Sequence, residues 1–415
     1  MENVTLMQSE KNALMTHEAI KGIISAETDK IFDELVALRR DFHRYPELAY
    51  EEVRTSSIVA EYLESLGCEV QRGVAKTGIV AHLKGDRATA QSKVVALRAD
   101  MDALPMPEET SHHFRSLIEG KMHACGHDAH TAALLGVAKV LSAIRRHLTG
   151  TVKFIFQPSE EKIPGGAKPM LDEGIFRDRA PDAVFGQHCI PQVPVGKIGF
   201  YAGAMMAAAD ELYITVTGRG GHGSAPHRAS DPIVAAVQIV TSLQTIVSRN
   251  MPPSAPVVVS ITAIHGGSAT NIIPNEVHMM GTLRTMDESL RELAHARLKD
   301  IVHFTAKAMG VEAEIEIRKG YPVLINDKTM TEFAFRAAQE YLGEDNALHA
   351  EPIMGAEDFA YFLQACPGTF WQLGVGNASR GIVHNIHSTK FDIDEEALRI
   401  GTGFMSYLAW KYLTS

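Results

Sequence analysis

The chain opens with apolar residues at helical spacing. In DKIFDELVALRRDFHR, residues Ile31, Leu35, Leu38 and Phe42 form one stripe, which predicts an amphipathic helix. Pro46 is placed to stop it. RTSSIVAEYLESLG predicts a second helix, ended by Gly67. The residues ahead of both, 1–26, read as a loosely tied or helical leader. Beyond Gly67 come short, mostly continuous apolar runs: GIVAHLKG, KVVALRAD, TVKFIFQPSEE, DAVFGQHC and, far downstream, TFWQLGVGN. Runs without polar alternation predict strands covered on both faces. The helical pattern HTAALLGVAKVLSAIRR between two of them completes an α/β sheet signature.

The middle of the chain changes character. ELYITVTGRG reads as a strand, and SDPIVAAVQIVTSLQTIVSR as a helix with Asp231 as N-cap and Pro232 in its first position. Two strands follow, APVVVSITAIHGG and NEVHMMGTLRT. Then come a helix, DESLRELAHARLKDIVHFTAKAMG, and a strand, VEAEIEIRK. The order β-α-β-β-α-β predicts a ferredoxin-like unit. It interrupts the α/β pattern, which places an inserted α+β domain at 205–322 between two parts of one α/β domain, 1–204 and 323–415.

At 415 residues the chain is long for one core, in keeping with about two domains. A formal charge of −10 argues against nucleic acid or an anionic membrane as partner, since both need a basic face. The cysteines are few and scattered, Cys68, Cys125, Cys189 and Cys366, which fits free thiols in a reducing compartment. The N-terminus is too polar for a signal peptide, and no apolar run reaches the ~18 residues of a membrane span. The expectation is a cytoplasmic protein.

Four of the expected core strands run into polar clusters. KVVALR leads to Asp100 and Asp102, TVKFIFQ to Glu160 and Glu161, and DAVFGQ to His188. TFWQLGVGN precedes IVHNIHSTKF, which carries His384 and His387. Ligands of α/β sheets bind outside the carboxyl ends of strands, so one shared site is expected. MHACGHDAH adds Cys125 and His127. In an extended chain these two point to the same side, and thiolate and imidazole suit a borderline cation such as zinc. An isolated C-G-H is more often a buried cysteine beside a capping histidine; the company of Glu161, His188 and His387 favours metal. Glu160 and Glu161, read as neighbours on an extended segment, face opposite ways. One then binds metal while the other takes a proton from water. The set Cys125, His127, Glu161, His188 and His387 exceeds one tetrahedral site and suits two ions sharing a bridging group. Asp102 is expected behind them, accepting from the far nitrogen of a histidine ligand.

The inserted segment has its own candidates: His222 in GRGGHGSAPH, Asn271 in GGSATNIIPNE and Arg284 in GTLRT. They suit an oxyanion donor (His222) and a clamp for a substrate carboxylate (Asn271, Arg284). A turn histidine, a loop asparagine and a surface arginine are equally good readings of each alone.

Together the motifs LRADMDALPMPE, MHACGHDAHTAALLG, FQPSEE, GRGGHGSAPH, GGSATNIIPNEV, MGAEDFAYF and IHSTKFDIDEEAL resemble the metallo-aminoacylase and carboxypeptidase superfamily with two co-catalytic metals. Within it they are similar to the amidohydrolase subgroup of hippurate and IAA-amino acid hydrolases. The resemblance runs from about residue 35 to the end. It implies a catalytic α/β domain with a central mixed sheet and an inserted ferredoxin-like lid that dimerises. It implies Cys125, His127, Glu161, His188 and His387 as ligands of two divalent ions, zinc or manganese first, with cobalt or nickel open. Cys125 stands where relatives outside the subgroup carry a bridging aspartate. Glu160 matches the catalytic base, with Asp102 beside it. His222 matches the oxyanion donor, often supplied by the partner subunit. Asn271 and Arg284 match substrate-carboxylate contacts, and Gly355 lies in a loop near the substrate. The implied reaction is hydrolysis of an N-acyl amino acid in a homodimer. The rivals are an exopeptidase on free dipeptides, a silent metal- or ligand-binding scaffold and a structural zinc protein. Two departures stand out: KIPGGAKPM after QPSEE, with Lys162, Ile163 and Pro164 in place of glycines, and Cys189 directly after a ligand.

Overall fold

The computed structural model describes residues 16–177 and 179–415, so the first part of the expected leader lies outside the described residues. Its remainder opens a helix. Helix α1 spans His17–Arg44, with the Thr16 hydroxyl accepting from Ala19 N at 3.3 Å. It buries Ile20, Ile24, Ile31, Leu35 and Phe42 and stops at Tyr45, just before Pro46. Helix α2 spans Val53–Ser65, and Gly67 at φ 75° reverses the chain after it.

The chain divides into two compact units. The first comprises Met1–Gly203, Asn326–Ala350 and Phe362–Ser415; the second comprises Ala204–Ile325 and Glu351–Tyr361. The second thus takes back a short downstream segment in addition to the central insert.

The first unit is built on eight strands: β1 (Glu69–Val74), β2 (Gly78–Lys84), β3 (Val94–Asp100), β4 (Thr151–Gln157), β5 (Ala183–Pro194), β6 (Ile198–Phe200), β15 (Ala347–His349) and β16 (Gly368–Gly376), in the order β1-β2-β4-β3-β5-β16-β6-β15. β4, β3, β5 and β16 run parallel, while β1 and β2 pair antiparallel with their neighbours and β6 runs antiparallel to β16 but parallel to β15. The sheet is therefore mixed. The edge strands β1 and β15, and β6 between β16 and β15, are short or polar, and their hydropathy does not announce them. β4 and β16 are buried at every position, as continuous apolar runs require. Helices α3 (His127–Ala143), α7 (Lys328–Leu342) and α9 (Glu396–Thr414) share one hydrophobic core with α1 and the sheet, including Leu97, Leu134, Phe154, Phe185, Trp371 and Trp410.

The second unit holds β8 (Ala208–Thr217), β10 (Val257–His265), β12 (Glu276–Thr285) and β13 (Glu312–Lys319), antiparallel in the order β10-β12-β8-β13. With helices α5 (Pro232–Thr245) and α6 (Glu288–Ala308) this is the ferredoxin-like order. The Asp231 side chain caps α5 through Ile233 N at 2.9 Å, with Pro232 in the first turn. Ala235, Ile239 and Leu243 of α5 and Leu298 and Val302 of α6 form one core with Leu212, Val216 and Val277. By length and hydropathy Pro232–Asn250 passes as a membrane span, against the expectation that no apolar run is long enough; 33% of its most apolar stretch is buried.

Candidate metal centre

Register brings the polar strand ends together. Asp100 on β3 pairs with Gln157 on β4, and Arg98 pairs with Gly186, two residues before His188 on β5. The carboxyl ends of β3 and β4 thus open at the level of the middle of β5. His188 sits inside β5 rather than beyond it, since the strand continues to Pro194.

Cys125 and His127 do not meet on extended chain, as expected from spacing. Gly126 takes φ 90° as N-cap of α3, and His127 is the first residue of that helix. The turn, not alternation, aims both side chains inward. Glycine is required there twice over: a side chain rarely adopts this φ, and a Cβ would lie 2.8 Å from Cys189 Cβ. Cys189 therefore packs beneath the turn rather than joining the donors. His387 arrives from the C-terminal loop at φ 62°, its N–H donating to Ala124 O at 2.7 Å. His384 is exposed and belongs to no donor group.

The donors form two groups that share Cys125: Cys125, His127 and His188, and Cys125, Glu161 and His387. Within each group the ligand atoms lie within 4.8 Å of one another. His127 Nδ1–H donates to Asp102 O at 2.9 Å, and His188 Nδ1–H to Cys189 O at 2.9 Å. Both rings thereby present an Nε2 lone pair, the form a metal takes. His127 Nε2 is fully buried with no hydrogen-bond partner, an expensive state for a polar atom without an ion. His188 Nε2 lies 3.4 Å from Cys125 Sγ.

Charge points the same way. Asp100, Asp102 and Glu160 are buried and Glu161 is half-buried. Arg98 answers Asp100 at 2.7 Å. Burial opposes charging His127, but Asp100, Asp102 and Glu161 outweigh it and push its pKa up to about 10. In effect they draw a proton to where a cation fits. Burial, then Glu161 and Glu160, raise the Cys125 thiol well above its ordinary range, so a thiolate here needs a cation. Burial and the neighbouring His130 push His188 down to about 3, which keeps it neutral. A donor set of thiolate, three imidazoles and a carboxylate around an excess of negative charge fits two divalent cations.

The loop after β4 is not extended. Ser159 adopts φ 53°. Glu160 N–H and Glu161 N–H then both donate to Asp102, at 2.9 Å to Oδ1 and 3.0 Å to Oδ2. Asp102 thus touches His127 mainly through its main-chain oxygen, while its carboxylate cups the loop; Oδ1 lies 3.4 Å from the ring. A Glu160 oxygen lies within 4.8 Å of ligand atoms of His127 and Glu161. His387 Nε2 is 3.0 Å from Glu161 Oε1.

Three residues of this site escaped the sequence reading. His130 donates from Nδ1 to Asp100 at 2.6 Å and accepts from Cys189 N–H at 2.8 Å, so both its nitrogens are committed and it is a brace rather than a donor. Arg98, a charge inside an apolar run, was the visible signal for a buried ion pair. Glu52 had no local signal.

In the second unit, His222 lies on β9 (Gly221–His222), paired with Ile272 of β11 (Ile272–Ile273). Its Nδ1 accepts from Ser224 N at 3.1 Å, which leaves Nε2–H as an outward donor. Asn271 adjoins it, its carbonyl accepting from Gly223 N at 2.8 Å. Arg284 does not form a clamp with Asn271 in one chain. It stands far along β12 from Glu276, the end nearest His222, a run of about 27 Å at strand rise. Gly355 accepts from Ala207 N at 2.8 Å. A Cβ there would make only ordinary contact with Met206 at 3.4 Å.

An α/β unit whose strand ends gather a thiol, imidazoles and carboxylates around two cation positions defines a metallohydrolase class. Residues 96–411 match the model of peptidase family M20/M25/M40, and the chain belongs to that family. It is 40% identical over 386 residues to thermostable carboxypeptidase 1 of Saccharolobus solfataricus, covering 92% of this chain and 96% of the relative. It is 39% identical to N-acetylcysteine deacetylase of Bacillus subtilis, covering 92% and 97%. A solved Bacillus subtilis structure, described as a dinuclear metal-binding peptidase of the M20 family, matches with TM-score 0.78 and 35% identity, covering 93% and 99%.

Proposed function

We propose that the protein hydrolyses the amide bond of N-acyl amino acids, releasing a carboxylate and a free amino acid. The observation that carries this is Glu160, a carboxylate beside two donor groups that share Cys125. In this reading Cys125, His127, Glu161, His188 and His387 hold the cations, zinc or manganese. When bound, such ions acidify water and polarise a carbonyl. Glu160 takes the proton of the attacking water. The carbonyl carbon gains the hydroxyl, the C–N bond breaks, and Glu160 returns the proton to the leaving nitrogen. Asp102 holds the loop that carries Glu160. His222 Nε2–H serves the developing oxyanion, and Arg284 and Asn271 serve the substrate carboxylate.

The length of β12 that separates Arg284 from the Glu276 end, nearest Asn271 and His222, supports a site completed by two copies of the chain. So does an unpaired apolar face on the second unit: Val234 (52% exposed) and Val237 (57%) on α5, with Ile264 (51%) on the edge strand β10. Four free, buried cysteines support a reducing compartment.

The relative named a deacetylase supports the capped substrate, and the one named a carboxypeptidase keeps dipeptides as the rival. Product formation by mass spectrometry separates them. Metal-loaded protein meets N-acetyl, N-benzoyl and indoleacetyl amino acids beside free dipeptides. Turnover of capped substrates alone is the expected result; turnover of dipeptides alone overturns the proposal.

A further inference from the structure

Three consecutive main-chain N–H groups in the Glu160 loop point at two buried carboxylates. Glu160 and Glu161 donate to Asp102, as described. Ser159 N–H donates to Glu52 Oε1 at 2.8 Å, across 107 positions of sequence. Ser159 is in the left-handed region at φ 53°, which a residue with a Cβ holds only when its surroundings enforce it. Successive N–H groups around such a residue form a concave anion seat. Here the protein supplies the anions itself.

Glu52 has no other evident task. It stands at the N-cap of α2, yet its side chain makes no capping bond there. Capping falls to Glu47, whose oxygens accept from Arg54 N at 2.9 Å and Thr55 N at 2.8 Å. Glu52 is fully buried. Its second oxygen accepts from Thr77 Oγ1 at 2.6 Å. Burial pushes its carboxyl up to about 7 against that hydrogen bond, so its position is costly. The same segment grips the far side of the loop, where the Tyr50 hydroxyl donates to Gly165 O.

We propose that Glu52 is a positioning residue for hydrolysis: with Asp102 it clamps Ser159–Glu161 in the strained turn that aims Glu160 at the reacting water and Glu161 at the cation. This rests on the reading of Glu160 as base.

The test compares Glu52→Ala, Glu52→Asp, Glu52→Gln and Val59→Ala in metal-loaded protein. The last opens a cavity under the same helix, away from the loop, as a stability control. The readouts are kcat, KM, bound metal, and hydrogen exchange of the 157–165 peptide. Glu52→Ala is expected to lower kcat about 10²-fold, the cost of ~1 Å of misplacement, with KM little changed and faster exchange at 157–165. Glu52→Asp keeps the buried acid but withdraws it by a methylene. It is expected to lose about tenfold in kcat, and it serves if the alanine variant does not fold. Glu52→Gln can offer its oxygen to Ser159 and its amide to Thr77, and is expected to retain kcat. Val59→Ala is expected to lose stability and keep kcat. Wild-type kcat in the Ala or Asp variant overturns the proposal, as does a kcat loss without faster exchange, or an equal loss in Val59→Ala. If instead Glu160→Gln stays active, the base assignment falls, while exchange at 157–165 still reports the clamp.

Discussion

Each unit buries an aspartate among arginine and histidine, and the two are not alike. In the second unit Asp210 is bound by Arg291 Nε at 3.0 Å, His295 Nε2 at 2.5 Å and Gly320 N at 3.1 Å. That network closes on itself. In the first unit Asp100 has Arg98 and His130, but its surroundings continue into Cys125, His127, Glu160 and Glu161. There His127 Nε2 makes no hydrogen bond, and the surrounding carboxylates draw a proton to the ring where a cation would sit. Burial alone does not mark a site. A buried polar cluster that saturates its own hydrogen bonds specifies structure; one that leaves a lone pair aimed inward amid excess negative charge is built to receive something.

The comparison breaks first at Glu160. Glu160→Gln is expected to lower kcat by about 10³-fold or more, within the range of general acid–base catalysis, with bound metal and melting temperature unchanged. Mass-spectrometric turnover and metal analysis on one sample check both halves. Asp210→Ala should do the reverse. The buried Arg291 then keeps only the half-exposed Glu288 as an acidic partner, at 3.1 Å, a loss of about 3 kcal/mol by denaturant melt, the low end for breaking a buried pair, with bound metal unchanged.

The closed network also has a pH signature. Burial raises the Asp210 carboxyl, but His295, Arg291 and the Gly320 N–H outweigh it and hold it at about 2, against an ordinary 3.8. A depressed carboxylate contributes stability that is complete above 3.8 and fades as the pH falls through about 2. An acid melt of the wild type should lose stability in that window, and Asp210→Asn should remove that part of the loss. The smallest effect is expected at the turn. Gly126→Ala meets φ 90° and Cys189 Cβ, costs about 1–2 kcal/mol, and weakens metal binding because Cys125 and His127 are re-aimed together. Calorimetry with zinc checks it.

What could be read from the sequence divides along a physical line. Continuous apolar runs marked β2, β3, β4 and β16, because strands covered on both faces leave that record locally. The Asp231–Pro232 signal marked the start of α5 for the same reason. The donor residues were legible because thiols, imidazoles and carboxylates crowd strand ends. How they are held was not. Ser159 carries no glycine-like sign of its positive φ, and Glu52 reads as an ordinary polar residue ahead of a helix. Gly126 read as a spacer in an extended run, whereas it turns the chain into α3. Arg284 and Asn271 were read as a pair, but strand length separates them. Each of these depends on partners distant in sequence or on backbone angles, which hydropathy does not record.

The central claim is that the open cluster is a two-cation hydrolytic site. The most direct measurement adds zinc stepwise to chelator-treated protein, following bound metal and turnover of an N-acetyl amino acid in the same samples. The account predicts saturation at two ions per chain, with turnover restored as they bind. Full turnover without bound metal, or saturation at a single ion per chain, would contradict it.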